Sequence, residues 1–250
     1  MNMFKAVRFA AAFGLLAAPL LAPRAGFAAD AFSGAQKDEV KKLVREYLME
    51  HPEVIADAIN ALQAKEEKAK ADKVTATLKQ RKGDLFEQTD GTVLGNPKGN
   101  VTLVEFFDYN CGYCKAMFPA LMETVKADGN IKLVVKEFPI LGQPSVTASK
   151  AALAARKQNK YTELHLALMG HKGSLTDDVV LQVAKDAGLD VAKLKADMAD
   201  PAVTAVITKN HALAQELDIQ GTPALIVGDT LVPGAIDKKR IQELVKDARG

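Results

Sequence analysis

Only two cysteines occur in the 250-residue chain, Cys111 and Cys114, and the two residues between them limit what the pair can do. A bridge at that spacing closes a loop so small that it constrains little of the unfolded chain, so structural cross-linking is the weak reading. The flanks say more. Val101-Thr-Leu-Val-Glu-Phe-Phe107 is β-rich, follows the turn signal Gly95-Asn-Pro-Lys-Gly-Asn100, and is predicted as a strand. Lys115 to Val125 carries apolar residues at helical spacing, with Pro119 as the expected site of a kink. The cysteines therefore fall where a strand's carboxyl end turns into a helix. Unpaired N–H groups and the helix dipole there favour a thiolate at the first position. Cys111 is expected as the exposed nucleophile and Cys114, one turn inside, as the resolving thiol.

A second signal lies far along the chain. Gln220-Gly-Thr-Pro-Ala-Leu-Ile-Val-Gly228 puts Pro223 at the start of an apolar β-rich run, where a residue without an N–H is tolerated. On the Val101–Phe107 strand, Glu105 shares a face with Leu103 and Phe107, so a buried carboxyl with a raised pKa is plausible from pattern alone.

A strand-to-helix Cys-x-x-Cys with a distant Thr-Pro opening a later strand resembles the thioredoxin arrangement. The run Val104-Glu-Phe-Phe-Asp-Tyr-Asn-Cys-Gly-Tyr-Cys-Lys115, with the helical region and terminal strands after it, is similar to the DsbA family of exported thiol–disulfide oxidoreductases from about Thr92 to the C-terminus. Within that family it looks most like the branch called suppressor of copper sensitivity protein C (ScsC), which joins such a segment to an N-terminal helical extension. The resemblance implies an α/β thioredoxin fold with a helical insertion at about residues 145–217. It implies Cys111 as attacking thiol, Cys114 as resolving thiol, and Pro223 in a cis bond packed on the disulfide. It leaves the Thr222 backbone to pair with an extended substrate, and Glu105 beneath the site to exchange a proton with Cys114. It implies no external cofactor beyond a redox-active Cys111–Cys114 disulfide, protein substrates with thiols or disulfides, and a membrane redox partner.

Two departures bear on direction. The family's strong oxidant has a Pro-His dipeptide between its cysteines and Val before its cis-proline. Here Gly112-Tyr113 offers no imidazole, and Thr222 is more typical of isomerases and reductases. Both favour disulfide isomerisation or reduction over disulfide donation. A different class of reading makes Cys111 and Cys114 soft ligands for Cu(I), with Met117 one turn from Cys114.

Residues 29–90 form a separate kind of sequence. Val40, Leu43, Val44, Tyr47 and Leu48 mark one helical face, His51-Pro52 breaks it, and Val54, Ile55, Ala58, Ile59 and Leu62 mark a second helix that runs into the charged stretch Ala64–Lys73. Such helices pack on their own domain or on a partner. In the resembled branch the extension makes oligomers, so residues 31–82 are expected to assemble copies of the chain, with the catalytic domain at 91–250.

Residues 1–28 have basic Lys5 and Arg8, an apolar run from Phe9 to Ala22, and Gly26 and Ala28 at the −3 and −1 positions of a cleavage site. They read as a signal peptide, and the apolar run is shorter than the ~20 residues of a bilayer span. The mature protein is expected in the periplasm. Removing Lys5, Arg8 and Arg24 turns 33 basic against 31 acidic residues into 30 against 31, which excludes a nucleic-acid role based on uncompensated positive charge. His51, His165, His171 and His211 show no metal-ligand spacing and are expected at the surface. Tyr109, Tyr113, Phe118 and Pro144 fit either an apolar peptide groove beside Cys111 or simple core and rim positions.

Overall fold

The computed structural model describes residues 32–87 and 92–250, and the expected signal peptide lies outside the described residues. Two compact units divide between Ala61 and Leu62.

The first unit holds α1 (Gly34–Glu50) and the start of α2 (Glu53–Gln80). Ser33 begins α1 with a reciprocal capping box to Gln36. The chain leaves the helix at His51-Pro52, as the sequence predicts. No residue of α1 is buried, and Leu43, Val44 and Tyr47 are 65%, 51% and 52% exposed.

In the second unit a five-stranded sheet has the order β1-β3-β2-β4-β5, built from β1 (Val93–Gly95), β2 (Val101–Phe107), β3 (Ile131–Glu137), β4 (Ala224–Val227) and β5 (Thr230–Pro233). Only β2 and β3 are parallel, in the register Glu105 to Val135 and Phe107 to Glu137. Their connection is α4 (Gly112–Asp128), a single helix through Pro119 that ends on Gly129 in the left-handed conformation. The turn into β2 needs glycine for a steric reason. A Cβ on Gly95, at φ 71°, would lie 2.6 Å from the Ile131 carbonyl oxygen, and one on Gly99 2.5 Å from the Lys132 nitrogen.

Between β3 and β4 the chain inserts α5 (Gln143–Ala155), a short 3-10 turn, α6 (Tyr161–Gly170), α7 (Asp177–Asp186), α8 (Val191–Met198) and α9 (Pro201–Glu216), and α10 (Lys238–Asp247) closes the chain. Asp200 caps α9 with Pro201 in its first turn. This is the expected thioredoxin fold with a helical insertion.

Strand β2 is covered on both faces. Leu103 and Phe107 enter a core with Leu121, Leu153, Leu164 and Leu168, while Val104 and Phe106 enter a second core with Leu78, Leu85, Leu213 and Leu217. The second core therefore takes its outer layer from the end of α2 and from α3 (Lys82–Phe86), upstream of the expected catalytic boundary at residue 91. Lys132 and Lys136 of β3 donate to the Phe86 and Asp84 carbonyls, each at 2.7 Å, which pins the end of α3 to the sheet. Among the described residues no helix is long and apolar enough to cross a membrane.

Candidate active site

The end of β2 delivers the site. Asp108, Tyr109 and Asn110 form the turn between β2 and α4, and Asp108 fixes it: its carboxylate accepts from the N–H groups of Asn110, Ile140 and Leu141 at 2.8, 2.9 and 3.0 Å. Its carbonyl accepts from the Cys111 N–H at 3.0 Å. Cys111 is the N-cap residue of α4, and its Sγ accepts from the Cys114 N–H at 3.3 Å. The same thiol donates to the Thr222 carbonyl oxygen at 3.3 Å, and the Thr222–Pro223 bond is cis. Residues separated by more than a hundred positions thus meet at one sulfur.

Cys111 was expected to be exposed and is only 5% so, because the Thr222 carbonyl sits on its sulfur. Cys114 is fully buried, and burial, followed among the raising causes by the nearby Glu105, pushes its thiol well above its ordinary range. Gly112 and Tyr113 face outward, with Tyr113 73% exposed. Glu105 is completely buried, and neither carboxylate oxygen has a hydrogen-bond partner. Burial alone pushes its pKa up to about 8.

Other expectations need correction. His165 is fully buried: it falls on the inner face of α6 with Tyr161, Leu164 and Leu168, a helical spacing that was visible in the sequence. Tyr109 is also core, and Phe118 packs edge-on against His165. These residues surround an acid that sequence reasoning missed. Glu137, at the end of β3, accepts from the Tyr109 and Tyr161 hydroxyls at 2.9 Å each, and Tyr109 Oη lies 2.9 Å from His165 Nδ1. Burial pushes Glu137 up to about 8 and His165 down to about 3.

Those shifts set a pH dependence of stability. Glu105 and Glu137 keep protons that the unfolded chain releases above about 4.5, so their contribution is lost as pH rises towards 8. His165 stays neutral where the unfolded imidazole gains a proton below 6.5, so it acts in the opposite sense between about 3 and 6.5. From about pH 7.5 upward the unfolded imidazoles are largely neutral and the acids dominate. Urea unfolding of the reduced protein should show stability falling most steeply between pH 6.5 and 8, by roughly 1 kcal/mol per pH unit for each acid. Glu137→Gln should roughly halve that slope, and a flat profile would contradict the burial of the two protons.

Two hollows lie near the site, one beside the Thr222–Pro223 bond and one beside the cysteine turn. One, of about 370 Å³, is mostly apolar and lies beside Thr222 and Pro223, with Val74, Leu231 and Pro233 in its wall and the Lys70–Asp218 ion pair at its edge. The other, of about 510 Å³, is lined by Asn110, Gly112, Lys115, Leu141, Pro144 and Thr176, among others. Pro144 thus lines a groove, whereas Tyr109 and Phe118 do not. Among the described residues no group of three or more His, Cys, Asp or Glu side chains stands together as a metal site, and Met117 is buried in the core.

Comparison with known proteins agrees with this geometry. Residues 102–246 match the family model of the DSBA-like thioredoxin domain, and residues 36–69 match that of the copper resistance protein ScsC N-terminal domain. A thioredoxin-like oxidoreductase from Silicibacter pomeroyi DSS-3 is 48% identical at a TM-score of 0.65, covering 67% of this chain and 96% of its own. Proteus mirabilis ScsC, in a transitional conformation, is 32% identical at a TM-score of 0.64, covering 87% of this chain and 97% of its own. A probable disulfide bond formation protein D of Bacillus cereus is 27% identical over 183 residues, 67% of this chain and 85% of that relative. Because the first family model spans more than half of the sequence and includes both cysteines and Pro223, the chain belongs to the DSBA-like thioredoxin domain family and is a thiol–disulfide oxidoreductase of the DsbA and ScsC type.

Proposed function

We propose that this protein is a periplasmic disulfide isomerase and reductase that acts on polypeptide disulfides through Cys111 and Cys114. The observation that carries the reading is the position of Cys111 Sγ, at the head of α4 and 3.3 Å from the carbonyl that precedes a cis-proline. In the reaction, the Cys111 thiolate attacks one sulfur of a substrate disulfide. A Cys111–substrate bond forms, the substrate S–S bond breaks, and the other substrate sulfur leaves as a thiolate and takes a proton. A substrate thiolate can then displace Cys111 and form a new pairing, which is isomerisation. Alternatively Cys114 displaces the substrate, leaving a Cys111–Cys114 disulfide and a substrate reduced by two electrons, and a membrane partner re-reduces the pair. Thr222 presents backbone to an extended substrate strand, and exposed Tyr113 and Leu141 offer apolar surface beside it.

The direction rests on Gly112-Tyr113, which supplies no imidazole between the cysteines, and on Thr222. The assay is recovery of a scrambled, fully oxidised protein: pre-reduced enzyme in catalytic amount should restore native pairing. Failure there, combined with efficient oxidation of reduced peptides by the disulfide form, would assign the opposite direction. Residues 1–28 direct export in this reading, and residues 31–82 assemble copies of the chain around one substrate.

With a pKa of about 8, Glu105 is ionised in a minor fraction of molecules at pH 7, and that form takes the Cys114 proton when Cys114 attacks. That pKa and the unpartnered oxygens suit a group that changes charge in place. In Glu105→Gln the resolving step should slow on the order of 100-fold at pH 7, and its inflection near pH 8 should vanish. A slower step with the inflection unmoved would mean that Glu105 only packs.

A further inference from the structure

The second groove beside the cysteine turn differs from the first in its charge. Its lining contains one charged side chain, the Lys115 ammonium, which follows Cys114 directly in the first turn of α4. That ammonium donates to the His171 carbonyl at 2.7 Å and to the Gly173 carbonyl at 3.4 Å. Both partners are neutral, and two carbonyls leave one of its three donors for a ligand. The acid closest in sequence, Asp108, is buried with its carboxylate held by three backbone N–H groups. The first acid on α4 is Glu123, and the segments that line the groove, Leu141–Pro144 and Gly173–Thr176, carry none; the exposed Asp177 and Asp178 open α7 directly after Thr176 and are not part of the lining. Lys115 is also partly desolvated, which lowers its pKa and strengthens its attraction for an anion within reach. Gly112, on the rim, has open space where a Cβ would stand, so a substrate backbone can approach there.

We propose that Lys115 makes this groove a carboxylate subsite, so that the preferred polypeptide disulfides carry an aspartate or glutamate next to the cysteine that Cys111 attacks. The proposal rests on the redox reading above and adds the substrate class. Lys115 acts on substrate choice and stays outside the bond exchange: the bonds broken and formed are those already given, and two electrons pass from the dithiol to the peptide disulfide.

The test uses two disulfide-linked peptide homodimers identical except for a glutamate or a glutamine beside the cysteine. Reduced protein is mixed with each, quenched in acid, and the liberated peptide thiol is counted. The glutamate peptide should react about three- to fivefold faster in wild type at low salt, with the ratio approaching one in 1 M salt. Lys115→Arg should keep the ratio, and Lys115→Glu should invert it. Because each ratio is taken within one variant, a general loss of activity cancels. A ratio of one in wild type, or the same ratio in Lys115→Glu as in wild type, would overturn the subsite while leaving the redox reading intact. No exchange with either peptide in wild type would overturn the redox reading and the subsite together.

Discussion

Cys111→Ser should reduce thiol–disulfide exchange by at least about 1,000-fold, whereas Cys114→Ser should leave the first attack in place and accumulate a mixed disulfide with substrate. The asymmetry follows from the two environments. Cys111 caps α4 and meets the Thr222 carbonyl at the mouth of the site, while Cys114 is fully buried with its thiol held protonated by burial. Cys111 keeps a small opening, 5% of its surface, and Cys114 none, so loss of Cys111 removes the nucleophile and no neighbour replaces it. Loss of the other removes the internal escape from the intermediate. Mass spectrometry of acid-quenched mixtures reads both variants. Equal activity losses with no trapped adduct in Cys114→Ser would mean that the roles are wrongly divided.

The second large effect concerns the first unit. On the assembly and isomerisation proposed above, Leu43→Asp should yield single chains in sedimentation and lower the isomerisation rate by about tenfold or more, with reduction of a single peptide disulfide changed little. Helix α1 leaves Val40, Leu43, Val44 and Tyr47 between 47% and 65% exposed, an apolar row that water disfavours along its whole length. The charge placed at Leu43 would be buried if that row packs on another copy and solvated if it does not. Isomerisation gains most from assembly, because a second attack by a neighbouring site is then effectively intramolecular. A single-chain mass in the unaltered protein would remove this part of the account.

Much of the site was legible because its signals are local. β2, the helix after Cys114 and the turn at Gly95–Asn100 each announce themselves within a dozen residues, and Thr222-Pro223 stands at the head of the apolar run that becomes β4. The alternation in β2 also placed Glu105 beside Leu103 and Phe107, where the structure buries it. What escaped is long-range or weakly patterned. β1 has three residues at a sheet edge, and α8 buries only Leu194, so neither offers a period to read. The Glu137 cluster draws its members from β3, the cysteine turn and α6, and only the folded chain brings them together. His165 has no metal-ligand spacing, and its place with Tyr161, Leu164 and Leu168 on the apolar face of α6 marks it as core. Lys115 looks like an ordinary helix lysine until the groove beside it is known.

The most direct measurement traps the mature protein in its own compartment with acid, alkylates free thiols with a mass tag, and reads the redox state of Cys111 and Cys114. The account predicts a pair kept mostly reduced, ready to attack wrong disulfides. A pair found mostly oxidised would contradict it and make the protein a donor of disulfides.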